Sequence, residues 1–341
     1  MQKAFIHIGT EKTGTTSLQE FFAGNREGFG KQNFYYPDTP GDTNHQKLAI
    51  YCAPENTRDL RPFFGLAADD KLSHFQNRFP VNLKNEIDKH RSSSILFSNE
   101  HLSSRIQNKQ QIFKLQELMK YLNLDPVIII YLRRQDQMML SSYSTAIKSG
   151  STRPFEIDLN PKRYNYYDIL NDWAFVFGKD KIKVKRYHRK HWKNGNLMED
   201  FLESLNINSF DGFGQSDRKP NKSLDRHLIK YLSVFNEQIP TIKDNKYNHD
   251  RGNILSVLES LSSDEKINLS SSSVLSILEN FKEQNKKVAA NYFNPPLSQL
   301  FEEPKMDDSV DQLPELTVEK SIEIGAKLWA SKQRELNERN Q

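Results

Sequence analysis

The sequence predicts an α/β protein, in which a central parallel sheet flanked by helices forms three layers and a mostly helical part follows. Short runs of β-favouring residues alternate with segments of helical apolar spacing, as in consecutive βαβ units. The clearest strand is Val-Ile-Ile-Ile-Tyr-Leu at 127–132, directly after Asp125-Pro126. From Leu224 onward the chain is almost entirely helix and loop by the same criteria.

The other predicted strands differ in how clearly they are patterned. Ala4–Ile8 and Ser94–Ser98 are short, mostly apolar runs typical of strands buried in a parallel sheet. Phe34–Tyr36 precedes Pro37 and is predicted as a short edge strand. The run Ile182–Tyr187 alternates apolar and polar residues, which also indicates a strand.

Helices are predicted where apolar residues recur at helical spacing, beginning with the segment that Thr15 opens. The further predicted helices are 76–91, 112–122, 135–148, 166–177, 198–205, 224–235, 274–293 and 318–335. Residues 1–301 are predicted as one domain, with a core at 1–224 and a helical cap or insertion at about 225–301. Residues 302–341 are predicted as a C-terminal helical tail.

Composition bounds the class of protein. A chain of 341 residues with 21 Phe, 13 Tyr and 3 Trp has ample material for a core, which excludes a disordered chain. The mean hydropathy of −0.75 indicates a large polar surface. The single cysteine, Cys52, excludes an intramolecular disulfide framework and any multi-cysteine metal site.

The charge balance and the absence of long apolar runs exclude other classes. There are 48 basic and 44 acidic residues, too even a balance to indicate nucleic acid as a partner. The first residues lack the basic and apolar regions of a secretory signal. No run of 18 apolar residues occurs, so no transmembrane helix is predicted, and the cytoplasm is the expected location.

The stretch that follows the first strand is predicted to bind an anion. Gly9 and Gly14 bracket a short loop, and Thr15-Thr16-Ser17 then opens a helix. This order turns backbone N–H groups toward one point at the positive end of the helix dipole, where phosphate or sulfate binds. A glycine-containing turn without a ligand has the same local pattern.

The loop resembles two known phosphate-binding motifs. Its spacing is similar to the Walker A loop, G-x-x-x-x-G-K-[ST], but Thr15 stands where that motif has lysine, and the loop lysine is Lys12. The run Lys12–Thr16 resembles the 5′-phosphosulfate loop, P-K-[ST]-G-T-T, of sulfotransferases that use 3′-phosphoadenosine 5′-phosphosulfate (PAPS). Glu11 replaces the proline, as in bacterial relatives. The predicted α/β fold is therefore P-loop-like.

A second anion site is predicted after the strand 127–132. Arg134 follows the carboxyl end of this strand, where open α/β sheets bind ligands, and Ser142 and Tyr143 come eight and nine residues later. The spacing resembles the sulfotransferase 3′-phosphate motif, R-x₇-S followed by an aromatic residue. Because the arginine and the serine each belong to a doublet, a register starting at Arg133 also fits. A surface arginine and an ordinary serine are the alternative.

Two candidates for a general base follow the strand 94–98. Glu100 is preferred, because a carboxylate beside an anion loop is well placed to take a proton from an acceptor. A glutamate in this region resembles the base of the heparan and bacterial branches, and a histidine, here His101, serves in the cytosolic branch. Neighbouring residues beside a strand face opposite sides, which suggests that only one of them points into the site. A helix-capping or salt-bridged Glu100 is the alternative.

Further candidate contacts to the nucleotide come from the resemblance. Tyr187 matches a family tyrosine that stacks on adenine, although a plain core tyrosine fits the pattern equally well. Arg218 and Lys219 match the first two residues of an R-K-G loop that clamps the 3′-phosphate, and Pro220 replaces its glycine. Ser223 is either part of an N-x-S-L segment of bacterial members or the N-cap of the next helix.

Taken together, residues 3 to about 224 resemble the PAPS-dependent sulfotransferases, nearest the bacterial carbohydrate-type branch. A weaker resemblance extends to about 301 through Asn285-Lys-Lys-Val-Ala-Ala-Asn-Tyr-Phe-Asn-Pro-Pro. The resemblance implies an enzyme that moves a sulfuryl group from PAPS to a hydroxyl or amine of an acceptor, a carbohydrate or glycan, by in-line displacement. It implies PAPS as co-substrate and no metal.

The resemblance also implies a role for each residue of the loop. Lys12 would neutralise charge on the bridging oxygen of the leaving phosphate. The 5′-phosphate would be held by backbone and side-chain groups of Thr13, Gly14, Thr15, Thr16 and Ser17. Arg134 and Ser142 would recognise the 3′-phosphate and so exclude ATP.

Two other functions compete with this interpretation. A P-loop kinase or NTPase needs lysine at position 15 and an aspartate at the end of a neighbouring apolar strand, whereas the sequence has Thr15 and Arg133-Arg134. A non-catalytic nucleotide- or glycan-binding protein on the same fold has no need of a base. The presence of both Lys12 and Glu100 argues against it.

Overall fold

The computed structural model describes residues 1–159, 162–214, 223–243, 246–304 and 313–339. A five-stranded, fully parallel sheet with the strand order β2-β3-β1-β4-β5 forms its centre, which confirms the predicted fold class. The strands of this sheet are β1 (Gln2–His7), β2 (Phe34–Tyr35), β3 (Ser94–Ser98), β4 (Leu124–Leu132) and β5 (Ile182–Arg186), and a small antiparallel hairpin consists of β6 (Ile242–Lys243) and β7 (Lys246–Tyr247).

Helices connect the strands and make up most of the remaining chain. They are α1 (Thr15–Gly24), α2 (Arg26–Lys31), α3 (Gln46–Cys52), α4 (Asp69–Ile87), α5 (His101–Ser104), α6 (Lys109–Tyr121), α7 (Gln135–Lys148), α8 (Tyr166–Phe177), α9 (Leu197–Ser204), α10 (Arg226–Gln238), α11 (Ile254–Leu261), α12 (Ser271–Asn280), α13 (Lys282–Asn291) and α14 (Val318–Arg339).

The sheet is buried on both faces, as its apolar strands require. Ile6 of β1 lies opposite Phe97 of β3 and Ile128 of β4, and all three side chains are fully buried. The alternate residue Phe5 points to the other face and is also buried. A parallel sheet covered in this way needs near-continuous apolar strands, which is the pattern that the sequence shows.

One face of the sheet carries an aromatic core that fixes the first helix. Phe21 and Phe22 of α1 pack with Phe201 of α9 against the β1 and β4 side chains of this face. The rings of Phe22 and Phe201 lie 4.7 Å apart between centroids. Because α1 is anchored through its apolar stripe, its N-terminus is held at the end of β1.

The chain divides into two compact units. The first consists of Met1–Arg134, Asn160–Arg218 and Asn280–Glu303, and it contains the parallel sheet. The second consists of Gln135–Leu159, Lys219–Glu279 and Pro304–Gln341. Apolar residues of α7, α10, α11 and α14 form its core, including Ile147, Leu232, Leu258 and Ile324. The domain boundaries predicted from the sequence stay a prediction.

The structure corrects two local predictions. The segment 274–293 forms α12 and α13 rather than one helix, because Phe281 leaves helical geometry and buries its ring near Tyr164. The N-cap of α10 is Asp225 rather than Ser223, and its carboxylate accepts hydrogen bonds from the N–H groups of Leu228 and Ser263. Among the helices of the described ranges, none is long and apolar enough to cross a membrane.

Candidate active site

Four chain segments leave the same edge of the sheet, because all five strands are parallel. They follow β1, β3, β4 and β5 and begin at Ile8, Asn99, Arg133 and Tyr187. In open α/β sheets this carboxyl edge is where ligands bind. The predicted loop, the candidate bases and the predicted nucleotide contacts of the first unit all lie on these segments.

The loop after β1 remains tied to β4 at its start. Gly9 accepts a hydrogen bond from the N–H of Tyr131 at 2.6 Å, and the N–H of Thr10 donates to the carbonyl of Tyr131 at 3.0 Å. Gly9 has φ +98°, and a Cβ there would lie 3.0 Å from Glu100 Cα. A glycine is required at this position because the backbone of Glu100, the candidate base, lies too close to Gly9 to leave room for a side chain.

Two left-handed residues turn the loop into the first helix. Lys12 has φ +63° and Gly14 has φ +71°. Between them, the hydroxyl of Thr13 donates a hydrogen bond to the carbonyl of Thr10 at 2.6 Å. Arg133 Nη1 donates to the carbonyl of Lys12 at 2.8 Å, so an arginine at the end of β4 holds this turn. Left-handed turns of this kind bring successive N–H groups to one side and create a concave anion site.

The N-terminus of α1 has the character of an anion site. Gly14 is its N-cap and supplies no side-chain hydrogen bond, and the first turn contains no acidic residue. The first N–H groups of a helix have no partner within it, so those of Thr15, Thr16 and Ser17 are available to an anion at the positive end of the helix dipole.

Tyr187 packs against this loop. A Cβ on Gly14 would lie 3.2 Å from Tyr187 Oη and 2.6 Å from Leu197 Cδ2. The guanidinium of Arg133 lies 5.4 Å from the centroid of the Tyr187 ring, and burial raises the pKa of Tyr187 although the Arg133 charge opposes this. The predicted stacking of Tyr187 on adenine stays a prediction, and the ring already shapes the loop.

Glu100 is held by two side-chain amides. Gln19 Nε2 donates to Glu100 Oε2 at 2.7 Å, and Asn44 Nδ2 lies 3.2 Å from Oε1 and 3.3 Å from Oε2. Asn44 is in turn fixed by Asn99 Nδ2, which donates to Asn44 Oδ1 at 2.5 Å. Amide donors of this kind stabilise the charged carboxylate and fix its orientation.

His101 faces a different carboxylate. Its Nδ1 lies 3.5 Å from Glu11 Oε1, and the same oxygen accepts a hydrogen bond from Ser104 Oγ at 2.7 Å. Burial by itself raises the pKa of Glu11, but hydrogen bonds from His101 and Ser104 and the charge of Arg163 outweigh it and hold this pKa at about 2. Glu11 is therefore ionised at neutral pH.

The argument that only one of Glu100 and His101 can face the site does not hold in the structure. It assumes a continuing strand, but β3 ends at Ser98 and His101 begins the short helix α5. Glu100 contacts α1 through Gln19, and His101 contacts the loop through Glu11. Both side chains therefore border the loop.

A cavity of about 770 Å³ opens beside Glu11 in the first unit. Ser104 and Arg105 line it from the α5 side, and Arg163 and Asp172 line it from the α8 side. The lining side chains balance in charge, because three are basic (Arg105, Lys162 and Arg163) and three are acidic (Glu11, Asp168 and Asp172). A cavity of this size is large enough for a small ligand.

Cationic side chains gather after β4 and β5 around one carboxylate. Arg134 Nη1 donates to the main-chain carbonyl of Glu302 at 3.3 Å. The Glu302 carboxylate lies 3.0 Å from Lys190 Nζ and 3.8 Å from His191 Nε2. The hydrogen bond from Lys190 is the main reason why the pKa of Glu302 is lowered. This part of the sheet edge favours negatively charged groups.

The remaining predicted contacts stay predictions. Arg134 belongs to the first unit, whereas Ser142 and Tyr143 lie on α7 in the second. The Ser142 hydroxyl is buried and has no hydrogen-bond partner within the described ranges. Arg218 and Lys219 lie outside the described residues.

At the loop the structure shows contacts that the sequence did not predict, although Arg133 was already named as the alternative register and Glu11 as the residue in place of the loop proline. Arg133 holds the Lys12 carbonyl, Gln19 and Asn44 hold Glu100, and Glu11 faces His101. The arginine doublet at the end of β4 carried a signal for Arg133. For Asn44 the sequence offers none, because it is 56 residues from its partner and lies in an irregular segment.

The chain shows limited similarity to known proteins. No protein-family model matches the chain. It is 29% identical over 214 residues to an uncharacterised protein of Archaeoglobus fulgidus, a match that covers 60% of this chain and 57% of that protein. The crystal structure of a sulfotransferase from Alicyclobacillus acidocaldarius aligns over 86% of this chain and 96% of that chain, with a TM-score of 0.44 and 12% identity. A likeness at that TM-score is too weak to support a conclusion.

Proposed function

We propose that the protein is a PAPS-dependent sulfotransferase that transfers a sulfuryl group to a hydroxyl or amine of a carbohydrate acceptor. The observation that carries the proposal is the loop Gly9–Ser17, in which Lys12 lies in a left-handed turn before an uncapped helix N-terminus. A candidate base, Glu100, crosses the start of the same loop. Anion loop, loop lysine and base are the parts that sulfuryl transfer requires.

The residues present fit a phosphosulfate group. The first N–H groups of α1 and the hydroxyls of Thr15, Thr16 and Ser17 would hold the 5′-phosphate. Lys12 would neutralise the charge that develops on the bridging oxygen. Arg134, in the cationic region after β4, would hold the 3′-phosphate in the proposed role.

The transfer itself is an in-line displacement. A bond forms between the acceptor oxygen or nitrogen and sulfur, while the bond from sulfur to the 5′-phosphate oxygen breaks and its electron pair stays on that phosphate. The acceptor proton passes to a base of this chain. Catalysis then rests on positioning and charge stabilisation, as in phosphoryl transfer.

Two side chains beside the loop are candidates for this base. Glu100 is favoured because it lies directly beside Gly9 at the start of the loop. His101 is favoured because its Nδ1 lies 3.5 Å from the ionised carboxylate of Glu11. A pH profile of kcat separates them when Glu100→Gln and His101→Asn are compared. If only His101→Asn loses the step in the pH profile that an imidazole base produces, the base is His101. If only Glu100→Gln abolishes turnover, the base is Glu100.

Calorimetric titration tests the donor part of the proposal. We expect wild-type protein to bind 3′,5′-bisphosphoadenosine more tightly than AMP or ATP·Mg²⁺. Arg134→Ala should abolish the preference over AMP by weakening the bisphosphate about 10- to 100-fold, the value of a charge-assisted hydrogen bond. Lys12→Ala should weaken the binding of both 3′,5′-bisphosphoadenosine and AMP. Lys31→Ala, which replaces an exposed lysine of α2, should weaken the binding of neither.

Tighter binding of ATP·Mg²⁺ than of the bisphosphate would overturn the proposal in favour of a P-loop kinase or NTPase. Tight binding of the bisphosphate without transfer from PAPS to any saccharide, phenol or amine would indicate a nucleotide-binding protein. The two results distinguish the competing functions because one concerns the ligand and the other concerns turnover.

A further inference from the structure

A second cavity, of about 860 Å³, lies on the first unit between the start of α3 and the α4 residues from Asp70 to Asn82. It is lined by residues that have no part in the proposed transfer. Lys47 of α3 contributes from one side, and Lys71, His74 and Arg78 of α4 contribute from the other. Asp70 is the one acidic residue among the described residues that line it.

The three basic residues of α4 form a line. Lys71, His74 and Arg78 follow the spacing i, i+3, i+7, which places them on one face of the helix. At a rise of about 1.5 Å per residue, the line from Lys71 to Arg78 is roughly 10 Å long. All three are exposed, and within the described part of the chain none has a hydrogen bond or ion pair.

The charge of this cavity differs from that of the cavity beside Glu11. There, three basic side chains face three acidic ones. Here, Lys47, Lys71 and Arg78 face only Asp70, so a net positive charge remains before His74 is counted. Lys47 donates a hydrogen bond to the carbonyl of Thr39 but, within the described residues, has no acidic partner. Cations without acidic partners raise the local concentration of anions and favour an anionic ligand.

The floor and rim of the cavity add a second recognition element. The floor is apolar: the half-buried Phe75 packs against the buried Phe79, with 5.0 Å between the ring centroids, and against the buried Leu66. Thr39 and Asn82 supply hydrogen-bonding groups. Cations in a line, an apolar strip and polar groups together suit a chain that carries repeated anionic groups on a sugar backbone.

We propose that this cavity binds an acidic polysaccharide. A membrane surface with anionic lipid is the competing partner that the titration below tests directly. Single-stranded nucleic acid needs open aromatic faces for base stacking, whereas Phe79 is buried and Phe75 packs against it. The proposal concerns binding alone and stands whether or not the loop transfers a sulfuryl group.

The test is calorimetric titration with a size-defined heparin oligosaccharide, at low and at physiological ionic strength. The double variant Lys71→Ala/Arg78→Ala is compared with Lys31→Ala/Lys89→Ala, which removes the same charge from the same unit outside the cavity. We expect the first variant to bind about tenfold more weakly and the second less than about twofold. Neutral dextran should not bind to either protein.

Equal loss in both double variants would overturn the proposal, because the binding would then follow net charge alone. Tighter binding of oligo(dT), or of vesicles with anionic lipid, than of heparin would overturn it in favour of those partners. An unchanged midpoint of urea unfolding shows that both variants are folded, whether or not the loop binds 3′,5′-bisphosphoadenosine. Failure here is thereby distinguished from failure of the proposed function.

Discussion

A single missing methyl group at Gly14 sets the shape of the anion loop. Gly14 has φ +71°, and a Cβ there would lie 2.6 Å from Leu197 Cδ2. Gly14→Ala should therefore lower the free energy of unfolding by about 1–3 kcal/mol, from backbone strain and overpacking together. It should also abolish binding of 3′,5′-bisphosphoadenosine, because Tyr187 must move away from the loop. Urea denaturation and calorimetry measure the two effects.

The matched control lies on the same helix. Gly24 ends α1, and a Cβ there would meet nothing within 4 Å. Gly24→Ala should raise the free energy of unfolding by about 0.5–1 kcal/mol and leave ligand binding unchanged. A Gly14→Ala protein as stable as Gly24→Ala would contradict the strained loop.

A buried histidine in the sheet makes stability sensitive to acid. His7 is fully buried, its Nδ1 lies 2.8 Å from Ser98 Oγ, and burial lowers its pKa from 6.5 to about 3. Below pH 6.5 the unfolded chain takes up a proton that the folded chain refuses, so stability falls as the pH falls toward 3. His45 is buried in the same way, with its pKa lowered to about 3.

Replacing His7 should remove one of these two protons. Each one contributes a loss of up to about 1.4 kcal/mol per pH unit. His7→Asn should lower stability at pH 8, through poorer packing, but flatten its decline between pH 6.5 and 4. Urea denaturation at several pH values measures this slope. An unaltered slope in His7→Asn would contradict the assignment.

At the scale of elements, the cap of α10 fixes a loop as well as a helix. The Asp225 carboxylate accepts from the N–H of Leu228 at 2.9 Å and from the N–H and hydroxyl of Ser263 at 2.9 and 3.1 Å. Asp225→Ala should therefore destabilise the second unit by about 1–2 kcal/mol, measured as a lower midpoint of unfolding. Asp264→Ala, at an exposed residue of the same loop, should change it by less than about 0.5 kcal/mol.

The sequence predicts elements best where one local pattern decides. All five strands of the sheet come at the predicted places, because buried strands and their flanking turns carry strong local signals. The long helix predicted for 274–293 is wrong, because helical spacing continues through Phe281 although tertiary packing breaks the backbone there. Local spacing carries no information about what a residue is packed against.

For the same reason, the sequence predicts some parts of the candidate site better than others. The anion loop has a contiguous motif that predicts a turn followed by a helix N-terminus, and the structure has a left-handed turn and an uncapped helix N-terminus there. The environment of Glu100 depends on Asn44 and Gln19, which are distant in sequence. No spacing rule links such residues, so the sequence gives the candidate base but not what holds it.

At the scale of the whole molecule, the net charge of +4 conceals an uneven distribution. The cavity beside Glu11 is balanced, and the cavity on α4 is cationic. Summed composition gives no indication of nucleic acid as a partner, since 48 basic and 44 acidic residues nearly cancel. Only the positions of the side chains show where cations stand without acidic neighbours.

Ligand binding adds its free energy to the stability of the folded protein. At a concentration a hundred times its Kd, 3′,5′-bisphosphoadenosine should stabilise the protein by about 2.7 kcal/mol. For a chain of 341 residues that is a rise in Tm of about 4 °C, which calorimetric scanning measures. Because Lys12 supplies the positive charge of the loop, Lys12→Ala should lose most of the rise at the same ligand concentration, whereas Lys31→Ala should keep it. An equal rise with inorganic phosphate, or a full rise in Lys12→Ala, would mean that the nucleotide is not bound at this loop.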